Sequence, residues 1–77
     1  TLNNVRVSEK KPFENIEGLS DLVAKFENEL DSCGRINLRY SGTESLARVM
    51  VEGEDEVKIN RIAEDISKFI HNSIGVD

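Results

Sequence analysis

An α+β fold is predicted for this chain: a small antiparallel sheet with two helices packed on one face, in the order β-α-β-β-α. Three observations predict it. Two stretches, 19–32 and 54–73, repeat their apolar residues at the helical period. Three shorter stretches, 2–7, 35–40 and 46–52, alternate apolar and polar residues. Pro12, Gly18, Gly34, Gly42 and Gly75 fall between or at the ends of these stretches rather than inside them.

Leu2 to Val7 reads as a short strand, with Val5 and Val7 on one face and Arg6 on the other. Ser8 to Gly18 is polar, carries two breakers and reads as a connection with a brief extended piece around Phe13. The first helix follows. Leu19, Leu22, Val23, Phe26 and Leu30 form one stripe, while Lys25, Glu27, Glu29 and Asp31 face out. Ser20 is the expected N-cap, Asp21 suits the positive helix end, and Gly34 is expected in the left-handed conformation that closes the C-terminus.

Arg35 to Tyr40 alternates, with Ile36, Leu38 and Tyr40 opposed to Arg35, Asn37 and Arg39. Leu46 to Glu52 does the same, with Ala47, Val49 and Val51 opposed to Arg48, Met50 and Glu52. The second helix buries Ile59, Ile62, Ala63, Ile66, Phe69 and Ile70, with Ile74 beyond. Asp55 is its expected N-cap and Gly75 its stop, and Lys68 and His71 lie at the end that favours cations.

Seventy-seven residues make one domain and leave little room for an internal catalytic pocket. A chain that starts at Thr1 without methionine is expected to be a piece of a longer one, with 1–77 as a single domain of it. A net charge of −5 argues against a general nucleic-acid surface but not against binding one phosphate, where a few cations act locally. Cys33 is the sole cysteine, which excludes an intrachain disulfide and fits a reducing compartment. No apolar run is long enough to span a bilayer, so no membrane partner is expected.

The candidate site is the segment Arg39-Tyr40-Ser41-Gly42-Thr43-Glu44 with Arg48. Gly42 can take positive φ and so turn backbone N–H groups toward an anion. Ser41 and Thr43 add hydroxyl donors, and Arg39 and Arg48 offer forked, charge-assisted hydrogen bonds to phosphate oxygens. If 35–40 and 46–52 pair as a hairpin and bury their apolar faces together, alternation places both arginines on the opposite face, at the mouth of the loop. Two like charges side by side are unfavourable, so either Glu44 neutralises them or a bound anion does. No catalytic nucleophile, metal set or general base is identifiable. His71 stands without ligand partners at metal spacing, Cys33 suits packing, and Glu54-Asp55-Glu56 suits a helix start.

The string from Arg39 to Glu44, followed by Arg48-Val49-Met50-Val51-Glu52-Gly53, closely resembles the C-terminal domain of the phosphohexomutases. Within that family it is most similar to the branch that interconverts glucosamine 6-phosphate and glucosamine 1-phosphate. Asn4-Val5-Arg6-Val7 and both helical segments fit as well, so the resemblance spans nearly the whole chain. Ser45 departs from it, standing where the family usually has proline. The resemblance implies a fourth strand and a TATA-binding-protein-like arrangement, where periodicity alone shows three strands. It implies a substrate-phosphate site at Arg39, Ser41, Gly42, Thr43 and Arg48, with the phosphosugar and the remaining domains of the same chain as partners. It further implies a cytoplasmic enzyme on the route to UDP-N-acetylglucosamine, whose phosphoserine and magnesium belong to earlier domains. This domain alone would hold no cofactor and would not be catalytic. Two alternatives stand beside it: the same domain of a mannose or glucose phosphate mutase, and a stand-alone α+β interaction module, which the acidic charge and few aromatics disfavour.

Overall fold

The computed structural model describes residues 1–76, the Ser32 side chain excepted. The strands are β1 (Leu2–Arg6), β2 (Arg35–Tyr40) and β3 (Leu46–Glu52), and the helices are α1 (Leu19–Leu30) and α2 (Glu56–Ile74). They follow one another in the expected order. The sheet runs β1-β3-β2, antiparallel throughout, with the hairpin strand β3 at its centre. The fourth strand is not formed among the described residues. In its place the chain after α2 makes one isolated bridge, Val7 opposite Gly75.

Alternation decides the two faces of the sheet, because successive side chains on a strand point to opposite sides. On the covered face Val5, Val7, Ala47, Val49 and Val51 are buried against Leu19, Phe26 and Leu30 of α1 and Ile59, Ile62, Ala63, Ile66, Ile70 and Ile74 of α2. Ile36, Leu38 and Tyr40 pack against the rim of this core and are only half-buried, because β2 is an edge strand. Phe69 is likewise partly buried rather than central. The other face carries no helix. It presents Leu2, Asn4 and Arg6 from β1, Arg35, Asn37 and Arg39 from β2, and Arg48, Met50 and Glu52 from β3, all exposed.

The helix ends confirm two expectations, Asp55 and Gly75 at the two ends of α2, and correct two. Asp55 caps α2, its Oδ1 accepting from Lys58 N at 3.1 Å. Helix α1 is capped by Gly18 (φ 85°) and not by Ser20, which lies within the first turn. The helix therefore starts two residues earlier than a Ser20 cap would place it, at the buried Leu19. At its other end the chain turns at Asp31 (φ 56°) and continues through a short 3-10 turn. Gly34 is therefore extended, not left-handed. Its role is close approach, since a Cβ there would lie 2.2 Å from the Glu52 carbonyl oxygen. The connection from Ser8 to Gly18 contains a 3-10 turn, Phe13–Asn15, where an extended piece was expected. Phe13, the first residue of this turn, stacks on Tyr40.

Candidate functional site

The β2–β3 hairpin places Arg39 directly opposite Arg48, in register, on the open face. Neither guanidinium has an ion-pair or hydrogen-bond partner among the described residues. Glu44, the internal candidate for neutralising them, makes no ion pair there either. Three other cations are paired, Arg35 with Glu52 at 3.1 Å, Arg61 with Glu29 at 2.6 Å and Lys68 with Glu64 at 3.4 Å, while Arg6, Lys11 and Lys58 make no ion pair among the described residues. Like charges facing each other across a pair of strands cost stability, so this pair is a feature the fold itself does not reward.

The loop that follows β2 closes one side of the same region. Arg39, Ser41, Gly42, Thr43 and Arg48, the five residues expected to act together, line one concavity of about 300 Å³. Asn37, Met50, Leu2 and Tyr40 complete its wall. Asn37 escaped the sequence argument, yet its position two residues before Arg39 on the same strand face was enough to find it.

The loop conformation differs from the expected nest. Among the described residues Gly18 is the glycine with positive φ, and Gly42 is outside that region. Ser41 organises the turn instead. It is the buried polar residue of the core region, its N–H bonds Leu46 O at 2.9 Å, and its Oγ accepts from Thr43 N at 3.3 Å and Glu44 N at 3.2 Å. A serine hydroxyl competing in this way for nearby backbone donors is a common turn device. It leaves two of the loop's N–H groups satisfied internally, and the hydroxyl proton of Ser41 available to donate. A Cβ added at Gly42 would meet no atom within 4 Å. Neither backbone strain nor crowding within the chain therefore requires glycine there.

The segment between β1 and α1 straps the base of this loop. Lys10 Nζ donates to Ser41 O at 2.5 Å, and the Tyr40 hydroxyl donates to Lys11 O. The Phe13 and Tyr40 rings stack, with centroids 4.3 Å apart and planes 10° from parallel. Burial, with the Glu9 carboxylate adding to it, raises the Tyr40 hydroxyl above the ordinary phenol value of 10.0, so it stays a donor at neutral pH. Nothing in the local sequence points from Lys10 to Ser41.

Similarity to known proteins follows the same elements. Residues 2–69 match the family described as phosphoglucomutase/phosphomannomutase, C-terminal domain. The chain belongs to that family. It is 47% identical over 73 residues to the phosphoglucosamine mutase of Desulfovibrio desulfuricans, covering 95% of this chain and 16% of that protein. It is 50% identical over 70 residues to the phosphoglucosamine mutase of Deinococcus radiodurans, covering 91% of this chain and 16% of that one. The chain thus spans about one-sixth of the length of these relatives.

The remaining candidates lie outside this concavity. Among the described residues no three His, Cys, Asp or Glu side chains converge as a metal would require. Cys33 is exposed beside the α1 end, and His71 lies in the last turn of α2. No described helix is long and apolar enough to cross a membrane.

Proposed function

We propose that this chain is the substrate-phosphate-binding domain of a phosphoglucosamine mutase, an enzyme interconverting glucosamine 6-phosphate and glucosamine 1-phosphate. The observation that carries the reading is the Arg39–Arg48 pair: two guanidiniums in direct cross-strand register, both without a carboxylate partner among the described residues, at the mouth of the Ser41–Thr43 loop. A phosphate dianion there turns an unfavourable juxtaposition into a bidentate clamp. The free space around Gly42 supports the same reading, since a residue without Cβ lets ligand oxygens approach the backbone. Thr43 Oγ and the Ser41 hydroxyl supply neutral donors beside the charged ones.

Such a domain orients rather than reacts. The phosphate that is not being transferred rests on Arg39 and Arg48, and the sugar is held so that its other end meets the chemistry. The names of the relatives favour the glucosamine phosphates, and the family description keeps glucose and mannose phosphates as the alternative. Magnesium belongs to this reading of the longer enzyme. The residues described here offer no donor set that fits it, so no step is assigned to it. The further domains are expected to be the partner of the open sheet face, the location cytoplasmic, and nucleic acid no ligand of a chain of net charge −5.

The test is an amide-resolved titration of this chain with inorganic phosphate. Binding is expected in roughly the millimolar range, since few contacts are on offer, with Gly42 and Thr43 among the amides that move most. Shifts spread over the surface with those two silent would refute the site. The chain alone is expected to convert no glucosamine 6-phosphate.

A further inference from the structure

We infer that Lys10 is a positioning residue for this anion site: by holding the Ser41 carbonyl, it aims the Gly42 N–H into the concavity. The inference rests on the phosphate reading above and adds to it a residue from outside the motif.

Ser41 and Gly42 share one peptide unit, with the carbonyl on Ser41 and the N–H on Gly42. Among the described residues there is no cis peptide bond. In a planar trans peptide the carbonyl of one residue and the N–H of the next point in opposite directions. Lys10 Nζ donates to Ser41 O at 2.5 Å, and Lys10 is not part of the concavity wall, whereas Gly42 is. A cation drawing the carbonyl to the side of the strap therefore turns the Gly42 N–H away from it, toward Arg39 and Arg48.

The neighbouring donors are already engaged. Ser41 N bonds Leu46 O, and Thr43 N and Glu44 N bond Ser41 Oγ. Gly42 N has no partner among the described residues. The ammonium also polarises the amide it contacts, which strengthens the N–H on the far side as a donor. Lys10 is itself held in place, because Lys11 O takes the Tyr40 hydroxyl and Phe13 stacks on the Tyr40 ring.

Lys11 provides the control. It carries the same charge one residue away, with its carbonyl rather than its side chain engaged at the loop. Phosphate titrations followed at the Gly42 amide compare the unaltered chain with Lys10→Met, Lys10→Gln, Lys10→Arg and Lys11→Met, and thermal melts confirm that each is folded. Lys10→Met is expected to weaken phosphate binding roughly three- to tenfold, the range of one hydrogen bond lost in a polar setting, and to shrink the Gly42 shift at saturation. Lys10→Arg restores both. Lys10→Gln, which keeps a donor without the charge, falls between. Lys11→Met leaves both essentially unchanged.

An unaltered affinity and Gly42 shift in Lys10→Met overturns the inference while leaving the phosphate site standing. An equal loss in Lys11→Met overturns it as a mere effect of net charge. An unaltered chain whose Gly42 and Thr43 amides ignore phosphate removes the site, and the role of Lys10 with it.

Discussion

The two ends of the β2–β3 hairpin are built from the same strands and the same open face, and they are occupied in opposite ways. At the end far from the loop, Arg35 stands opposite Glu52 and the two form an ion pair at 3.1 Å. At the loop end Arg39 stands opposite Arg48, and neither has a partner among the described residues. Between them Asn37 faces Met50. Cross-strand register is identical at both ends, so geometry does not account for the difference. The paired end satisfies itself. The loop end is left with surplus positive charge, in a chain whose overall charge is negative. That contrast locates the site more sharply than the loop motif does, because Ser-Gly-Thr turns serve many purposes and facing arginines serve few.

Making the loop end resemble the other end breaks the comparison most severely. Arg48→Glu sets a carboxylate opposite Arg39, in the register that Arg35 and Glu52 already share. The phosphate response at Gly42 and Thr43 should disappear, because the new carboxylate occupies and repels the anion position. Thermal stability should rise slightly, since a like-charge pair becomes an opposite one, a change of about 0.2–1 kcal/mol. A variant that keeps its phosphate affinity would show that the facing arginines are not the site.

Arg39→Ala comes next. Losing a charge-assisted contact worth about 1.5–3 kcal/mol should weaken phosphate binding roughly ten- to hundredfold. The melting temperature should hold or rise a little, because the side chain is exposed and repelled by its neighbour. A drop of several kcal/mol in stability with affinity intact would make Arg39 a structural residue instead.

Gly42→Ala sharpens the contrast between fold and ligand. An added Cβ meets no atom of the chain, and the backbone is not in the left-handed region. Urea unfolding should show stability unchanged or raised by about 0.4–1 kcal/mol, while phosphate affinity falls because the methyl group obstructs approach to the backbone. Equal affinity in both proteins would remove the ligand argument for glycine.

The smallest effect is expected at the self-satisfied end. Arg35 and Glu52 keep 76% and 48% of their side-chain surface exposed, so solvent screens the pair. Glu52→Gln should cost no more than about 1 kcal/mol in urea unfolding and leave phosphate affinity within roughly twofold. A large affinity change there would mean that charge anywhere on the open face matters, rather than the facing pair.

Strand faces, helix stripes and the placing of Arg39 and Arg48 opposite the apolar faces of their strands were determined by the sequence alone. These properties depend on the covalent geometry of a few consecutive residues. Side chains alternate along a strand and recur every three to four residues along a helix, whatever the rest of the chain does. Placing Val49 under α2 therefore places Arg48 on the other side, and the same step on β2 puts Arg39 on that side too; the hairpin register then sets the two face to face.

Only the tertiary structure decided the strand order with β3 at the centre, the Asp31 turn that frees Gly34 to lie against Glu52, and the Ser41-centred loop in place of a glycine nest. It alone brought Lys10 to the Ser41 carbonyl, and it alone left Glu44 without an ion pair to Arg39 or Arg48 among the described residues. Each of these joins or separates groups on different segments. The meeting of Lys10 with Ser41 depends on how the 8–18 connection packs over the edge of β2, where Phe13 stacks on Tyr40 and Ile16 and Leu19 are buried. A period in the sequence carries no information about such packing, because it is set by the shape of the surface the segment lies on.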